Sequence, residues 1–164
     1  MTATPTVRRA TPADLPSIGR LGALLIEEHH AFDPKRFLAA RVRTPADYAG
    51  YLGTQLDDPD VAVLVAEDDG SIVGYAYAAN EGYDWMALRG PAGVLHDVVV
   101  DPGHRGRGIG RQLVEATLAY LQERGAPRVV LFTAEQNEAA HRLFAKIGFR
   151  RTMIEMTRES DSEG

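Results

Sequence analysis

The chain contains no cysteine, which excludes disulfides, thiolate metal sites and a cysteine nucleophile. It has no apolar run approaching the ~18 residues that a membrane span needs, and Met1 to Ala10 shows neither an apolar signal core nor a small-residue cleavage pattern. A cytoplasmic location without membrane contact is therefore expected. Positive charge is also scarce. With 18 basic against 23 acidic residues the formal charge is −5, so no long-range field draws the chain toward nucleic acid or anionic lipid. No nucleic-acid partner is expected, and an anionic ligand has to be held by a local device. Internal repeats, low-complexity tracts and interdomain linkers are absent as well.

What is present fits one packed unit. The 164 residues are 45% hydrophobic and 25% charged, ordinary globular usage at a length one core can serve. A single domain over 1–164 is expected, with a core from about residue 6 to 158 and an acidic tail at 159–164. Thr11-Pro12-Ala13-Asp14 reads as a helix start, followed by Leu15, Ile18, Leu21 and Leu25 at helical spacing. Thr44-Pro45-Ala46-Asp47 repeats the device ahead of Tyr48, Tyr51, Leu52 and Leu56. Strands are predicted over 61–67 and 72–79, joined by a tight Asp68-Asp69-Gly70 turn, then over 93–100, 128–133 and 149–157. Helices are predicted over 112–123, closed by Gly125 and Pro127, and after Asn137 through Ile147, closed by Gly148. Hairpin strands followed by strand, helix, strand, helix, strand give an α/β (or α+β) fold with a mixed sheet and helices on its faces.

The most informative stretch follows the third predicted strand, where Asp101-Pro102-Gly103-His104-Arg105-Gly106-Arg107-Gly108-Ile109-Gly110 opens a helix. Glycines at 106, 108 and 110 free successive backbone N–H groups to converge on an anion at the positive end of the helix dipole. Arg105, Arg107 and Arg111 add charge, so a pyrophosphate cradle is expected in an otherwise acidic protein. A P-loop is excluded because Arg111 and Gln112 stand where Lys and Ser/Thr would have to be. A dinucleotide fingerprint fails because Leu113 stands where a small residue is needed.

Arg105-x-x-Gly108-x-Gly110 after a strand ending Val-Asp-Pro resembles the acetyl-CoA signature of the Gcn5-related N-acetyltransferases. Asn137-Glu-Ala-Ala-His-Arg-Leu-Phe-Ala-Lys-Ile-Gly-Phe149 is similar to the same family's second motif. The resemblance implies a mostly antiparallel mixed sheet with a splayed central strand, and acetyl-CoA as cosubstrate. In it Val98, Val99 and Val100 offer backbone groups to the pantetheine arm, and Arg105, Gly106, Arg107, Gly108, Ile109 and Gly110 hold the pyrophosphate. Arg107 and Arg111 are candidates for the 3′-phosphate, Asn137 for the pantetheine and Phe144 for the thioester. The implied activity is acetyl transfer to a primary amine, on a small molecule or peptide, by direct attack in a ternary complex. A homodimer is compatible with it. No metal is expected: His29 and His30, adjacent on a helix, point apart and read as surface or substrate contacts.

Acetyl transfer needs a neutral amine, and deprotonating a lysine-like amine at pH 7 costs about 4 to 5 kcal/mol. His96 and its neighbour Asp97 are the catalytic candidates. His96 takes the position where relatives carry a glutamate, and histidine ordinarily titrates near neutrality. In a regular strand only one of the two faces the cleft, unless a bulge intervenes. Glu81 and Asp84 read as reserve candidates in a loop before this strand. Phe144 stands where relatives carry a thiolate-protonating tyrosine, with Tyr75, Tyr77 and Tyr83 as substitutes. Tyr83, Trp85 and Met86 read either as the floor of an acceptor pocket or as packing. Rival readings are a catalytically silent acyl-CoA-binding module, motivated by Phe144, and an acyltransferase for protein N-termini or longer acyl chains.

Overall fold

The computed structural model describes residues 3–160. A short first strand, β1 (Thr6–Arg9), precedes a 3-10 turn at Pro12–Asp14 and helix α1 (Leu15–Phe32). Helix α2 (Thr44–Gly53) leads to the hairpin β2 (Val61–Asp68) and β3 (Ser71–Glu81), then to β4 (Ala92–Val100). The remainder is α3 (Ile109–Glu123), β5 (Val129–Leu131) and α4 (Glu138–Ile147). The strands lie in the order β1-β2-β3-β4-β5, antiparallel except for the parallel pair β4 and β5.

Strand alternation builds two cores on one sheet. Val61, Val63 and Val65 point toward α1 and α2, where they pack with Ile18, Leu21, Leu52, Tyr75, Tyr77 and Val99. Ala62, Leu64 and Ala66 point the other way, onto Leu113, Val114 and Leu121 of α3. The second core also takes in Phe144 and Ile147 of α4, but only as half-buried neighbours.

Two differences from the sequence reading have physical causes. β1 has too few apolar residues to announce itself as a strand. It exists because it pairs with β2 from Thr6↔Glu67 to Arg9↔Leu64, and because Arg8 bridges Asp14 and Glu67, each at 2.8 Å. The last predicted strand, 149–157, does not form: beyond Phe149 every described residue is exposed. Phe149 itself is spent on the end of α4, where its N–H donates to the Phe144 carbonyl at 2.9 Å after Gly148 turns the chain with φ 110°. The segment beyond it has no neighbouring strand to complete its backbone hydrogen bonds, and Glu155 is anchored instead by Arg36.

Candidate functional site

The β4–β5 pairing covers only Gly93↔Val129 to Leu95↔Leu131, whereas β4 continues to Val100. From His96 onward β4 therefore has no strand on its β5 side, and its backbone is open there as an added-strand site requires. The side chains of this stretch are committed elsewhere: Val99 is buried on the α1 face, while Val98 and Val100 pack toward α3.

At the open end of β4 the chain turns through Pro102–His104 into the glycine-rich loop. Gly108 is the N-cap of α3 with φ 80°, a left-handed conformation that L side chains adopt at a cost, and a Cβ placed there would meet no protein atom within 4 Å. The glycine is thus required by the backbone, and the space it leaves faces outward over the first N–H groups of α3, which have no intrahelical partner. An anion fits that cradle. Gly110 differs: a Cβ there would meet Leu143 and Val100 at ordinary van der Waals distances of 3.5 and 3.7 Å. Ile109 contributes its backbone alone, since its side chain is buried in the α3 core.

All three loop arginines already hold carboxylates. Arg105 contacts Glu28 and donates through Nε to the Val100 carbonyl at 3.0 Å. Arg107 reaches Asp68 in the β2–β3 turn at 2.8 Å, and Arg111 reaches Glu115 at 2.8 Å. The Arg105 and Arg111 pairs are exposed or half-exposed, worth little and open to exchange for a phosphate, whereas the Asp68 side chain that holds Arg107 is only 12% exposed. On the far side of the splay, Asn137 caps α4 by accepting from the Ala140 N–H at 3.2 Å, which leaves its amide N–H₂ free. Phe144 packs edge-on against Phe149 at 5.7 Å.

The arrangement of His96 and Asp97 is the central finding. β3 pairs Tyr77 with Asp97 and Ala78 with Leu95, so His96 is the extra residue of a β-bulge. The bulge cancels the alternation that would set the two side chains on opposite faces. Both line one cleft of about 490 Å³ together with Tyr48, Tyr51, Asp58, Asp60, Tyr77 and Glu81. Glu81 belongs to β3 rather than to the following loop, and His96 Nε2 lies 2.8 Å from its carboxylate. With Glu81 ionised that bond requires Nε2–H, leaving Nδ1 as the nitrogen able to take a proton. The His96 ring stacks on Tyr77, with centroids 5.1 Å apart.

Asp97 sits deeper. Tyr48 and Tyr75 both donate to its Oδ2, Tyr75 at 3.1 Å, and burial pushes the carboxyl up to about 7. Burial likewise raises the phenols of Tyr75 and Tyr77 far above their ordinary value, so both remain protonated donors. Tyr48 reaches Asp97 because α1 and α2 approach closely at Gly22, where a Cβ would lie 2.4 Å from the Tyr48 ring.

Other sequence candidates serve other ends. Asp84 accepts from the N–H groups of Met86 and Ala87 at 3.0 Å and shapes the β3–β4 turn. Tyr83 stacks on Trp85 in that exposed turn, 5.6 Å between centroids, outside the cleft. His29 bonds the Leu25 carbonyl one turn back in α1 at 2.8 Å, and His30 bonds the Phe37 carbonyl at 2.9 Å, which ties the α1–α2 connection to α1. Sequence reasoning missed Tyr48, Tyr51, Asp58 and Asp60 as cleft residues; the acidic run just before β2 was the available signal.

Comparison with known proteins follows the same lines. A family model described as the Acetyltransferase (GNAT) family matches residues 24–149. A mycothiol acetyltransferase from Thermobispora bispora is 34% identical over 138 residues, covering 76% of this chain and 45% of that protein. The chain thus spans less than half the length of that relative. An uncharacterized N-acetyltransferase from Archaeoglobus fulgidus is 29% identical over 147 residues, covering 88% of this chain and 92% of that one. Among solved structures, an aminoglycoside N-acetyltransferase in complex with CoA superposes with a TM-score of 0.71 at 20% identity, covering 98% of this chain and 97% of that one, a likeness of fold. No helix among the described residues is long and apolar enough to cross a membrane.

Proposed function

The chain belongs to the acetyltransferase (GNAT) family, and on that premise we propose that it transfers the acetyl group of acetyl-CoA to a primary amine bound in the cleft at His96 and Asp97. The observation that carries the reading is the β-bulge at His96, which gathers His96, Asp97 and Glu81 at the point where β4 parts from β5. From that point β4 runs directly into the glycine-rich loop.

In this reading acetyl-CoA lies along the open side of β4, with its pyrophosphate over Gly106 to Gly110 and the free amide of Asn137 toward its pantetheine. The acceptor enters as an ammonium. His96 Nδ1 takes a proton from it while Glu81 stabilises the imidazolium that forms. The free amine attacks the thioester carbonyl, so that a C–N bond forms, the C–S bond breaks and CoA departs as its thiolate; the extra proton on the acylated nitrogen passes to water, and the imidazolium of His96 releases its own to solvent before the next turnover. A thiol of pKa ~8.5 is a fair leaving group near neutrality, and Phe144 supplies no acid. Holding the two substrates together supplies much of the acceleration.

The second part of the proposal is a homodimer. Among the described residues the outer edge of β5 carries no strand, Phe132 beside it is 77% exposed, and Ile154 and Met156 in the unpaired C-terminal segment are 83% and 89% exposed. A second copy supplies what both lack if each segment pairs with the other's β5. Light scattering that returns a monomer mass at working concentration excludes it.

The transfer reading is tested by melting the protein with acetyl-CoA, ATP and NAD, and by following CoA release with a panel of amines. Acetyl-CoA at a hundredfold excess over its dissociation constant adds about 2.7 kcal/mol. Greater stabilisation by ATP, or no CoA release with any amine, overturns the reading.

A further inference from the structure

Helix α2 reaches both candidate groups from one face. Tyr48 and Tyr51 stand about one turn apart on it, and both line the cleft. Tyr48 donates to Oδ2 of Asp97, to which Tyr75 of β3 also donates at 3.1 Å. Tyr51 sets its hydroxyl 3.2 Å from that of Tyr77 and packs edge-on against the Tyr77 ring at 6.2 Å, while Tyr77 stacks on His96. The helix is in turn seated closely on α1: a Cβ at Gly19 would overlap the Pro45 carbonyl, and one at Gly22 would overlap the Tyr48 ring. The packing of two helices thus places both tyrosines.

Each candidate group is held so that one polar atom is left over. Glu81 takes Nε2 of His96 and Tyr77 takes the face of its ring, which leaves Nδ1. Both hydroxyls on Asp97 take Oδ2, and neither takes Oδ1. Tyr51 is 55% exposed and adds little to the core, so its contact with Tyr77 acts chiefly through what Tyr77 holds. A displacement of about 1 Å at a reacting group can cost about a hundredfold in rate, and side chains that prevent it matter to turnover even where they touch no substrate.

We propose that Tyr48 and Tyr51 are positioning residues: from α2 they hold the carboxyl group of Asp97 and, through Tyr77, the ring of His96, so that Oδ1 and Nδ1 are the atoms left for the acceptor amine. The inference rests on the transfer reading given above and adds the element that sets its geometry.

The test uses the full chain carrying Tyr48→Phe or Tyr51→Phe, which remove one hydroxyl each and keep the ring. With an accepted amine, kcat should fall about tenfold in Tyr48→Phe and about threefold in the more exposed Tyr51→Phe, the factors that loss of one hydrogen bond gives, with the KM for acetyl-CoA unchanged. The losses should not add to those of the groups they hold: Tyr51→Phe should cost nothing further in His96→Gln, nor Tyr48→Phe in Asp97→Asn. NMR supplies a readout that needs no turnover. In protein carrying 13C-labelled histidine and aspartate, with signals identified by their loss in His96→Gln and Asp97→Asn, Tyr51→Phe should move the ring signals of His96, and Tyr48→Phe the carboxyl signal of Asp97. Wild-type kcat in both variants with a lowered Tm means that the hydroxyls only brace the fold, and overturns the inference; additive losses in the double variants overturn it as well. If no amine is turned over, the transfer reading falls and the NMR signals decide alone: movement of each signal with its own tyrosine upholds the positioning of the pair, and unmoved signals overturn that too.

Discussion

Two regions of this chain meet along the line where β4 parts from β5, and they are built to different standards. On one side, β1 to β4 with α1, α2 and α3 bury side chains completely: Ile18, Leu21, Leu52, Val65, Tyr75, Leu113 and Leu121 have no exposed surface. On the other side are β5, α4 and the segment after it. Beyond Leu121 only Ala134 is buried among the described residues, and α4, amphipathic as it is, buries none of its side chains fully. The candidate acid–base groups His96, Asp97 and Glu81 lie in the first region, and the expected partners of the pantetheine and thioester, Asn137 and Phe144, lie in the second. In the proposed reading one substrate is thus met by a rigid wall and the other by a wall with little packing behind it. Loosely packed elements open at low free energy, which suits a cleft that has to admit and release a long cosubstrate.

The largest expected effect tests that contrast directly. Leu113→Ala removes a side chain with no exposure and should cost about 2 to 5 kcal/mol. For a chain of this size that is roughly 4 to 20 °C in Tm. Ile147→Ala in half-buried α4 should cost less than half as much. Equal losses by calorimetry would mean that the second region is as well packed as the first, which is what a dimer covering it would produce.

Second in size is the split between chemistry and binding. His96→Gln should lower turnover on the order of a hundredfold, the low end of a general base's contribution, with acetyl-CoA affinity unchanged. Recovery at high pH, where the amine deprotonates unaided, is part of the expectation. Asn137→Ala should do the reverse, raising the KM for acetyl-CoA more than it lowers kcat, and should also cost the cap of α4 about 1 kcal/mol. If His96→Gln keeps the wild-type rate near neutrality, the proton goes to Asp97 or to water.

Much of the first region was legible in the sequence because its signals are local. The Val61, Val63, Val65 alternation, the Asp-Asp-Gly turn and the glycine loop each state their own conformation. In the second region β5 and α4 are legible too, but the sequence also predicts a strand at 149–157 that does not form, since β-favouring residues look the same whether or not a neighbouring strand exists. The site was half legible. The sequence picks out His96 and Asp97 as candidates, but which of them faces the cleft depends on a bulge set by pairing with β3. Glu81 was assigned to a loop for the same reason, because β3 runs two residues further than its apolar pattern. The tyrosines that hold Asp97 come from α2 and β3, 49 and 22 residues away in the chain, and no local spacing announces that.

A third effect follows from Asp97. Its folded value of about 7 lies well above the ordinary value near 4, so its contribution to stability is fully present below pH 4 and is lost as pH rises through 7. Carrying a buried carboxylate at higher pH costs at most on the order of 4 kcal/mol. Asp97→Asn should therefore raise Tm by several degrees at pH 8 and change it little, or lower it, at pH 4. The same charge should help hold a cationic acceptor, so the wild-type KM should fall as pH rises through about 7, and Asp97→Asn should remove that fall. Identical Tm profiles for the two proteins would place the carboxylate in water and end this assignment.

The smallest expected effect concerns the second region. Phe144 packs against Phe149 and the edge of the α3 core without being fully buried, so Phe144→Tyr adds a hydroxyl at a half-exposed position and should change stability by less than about 0.5 kcal/mol. If thiolate departure needs no acid, kcat should change by less than about threefold, because the leaving group is already stable near neutrality. A rise of tenfold or more would show that protonation of the thiolate limits the wild-type rate, and that the loosely packed wall nonetheless holds residue 144 closely enough to deliver a proton. The pH dependence separates the causes. A hydroxyl acting as an acid keeps its gain while it is protonated and loses it as pH rises through a phenol's ordinary pKa of ~10, whereas a hydroxyl that only repacks α4 changes the rate equally at every pH.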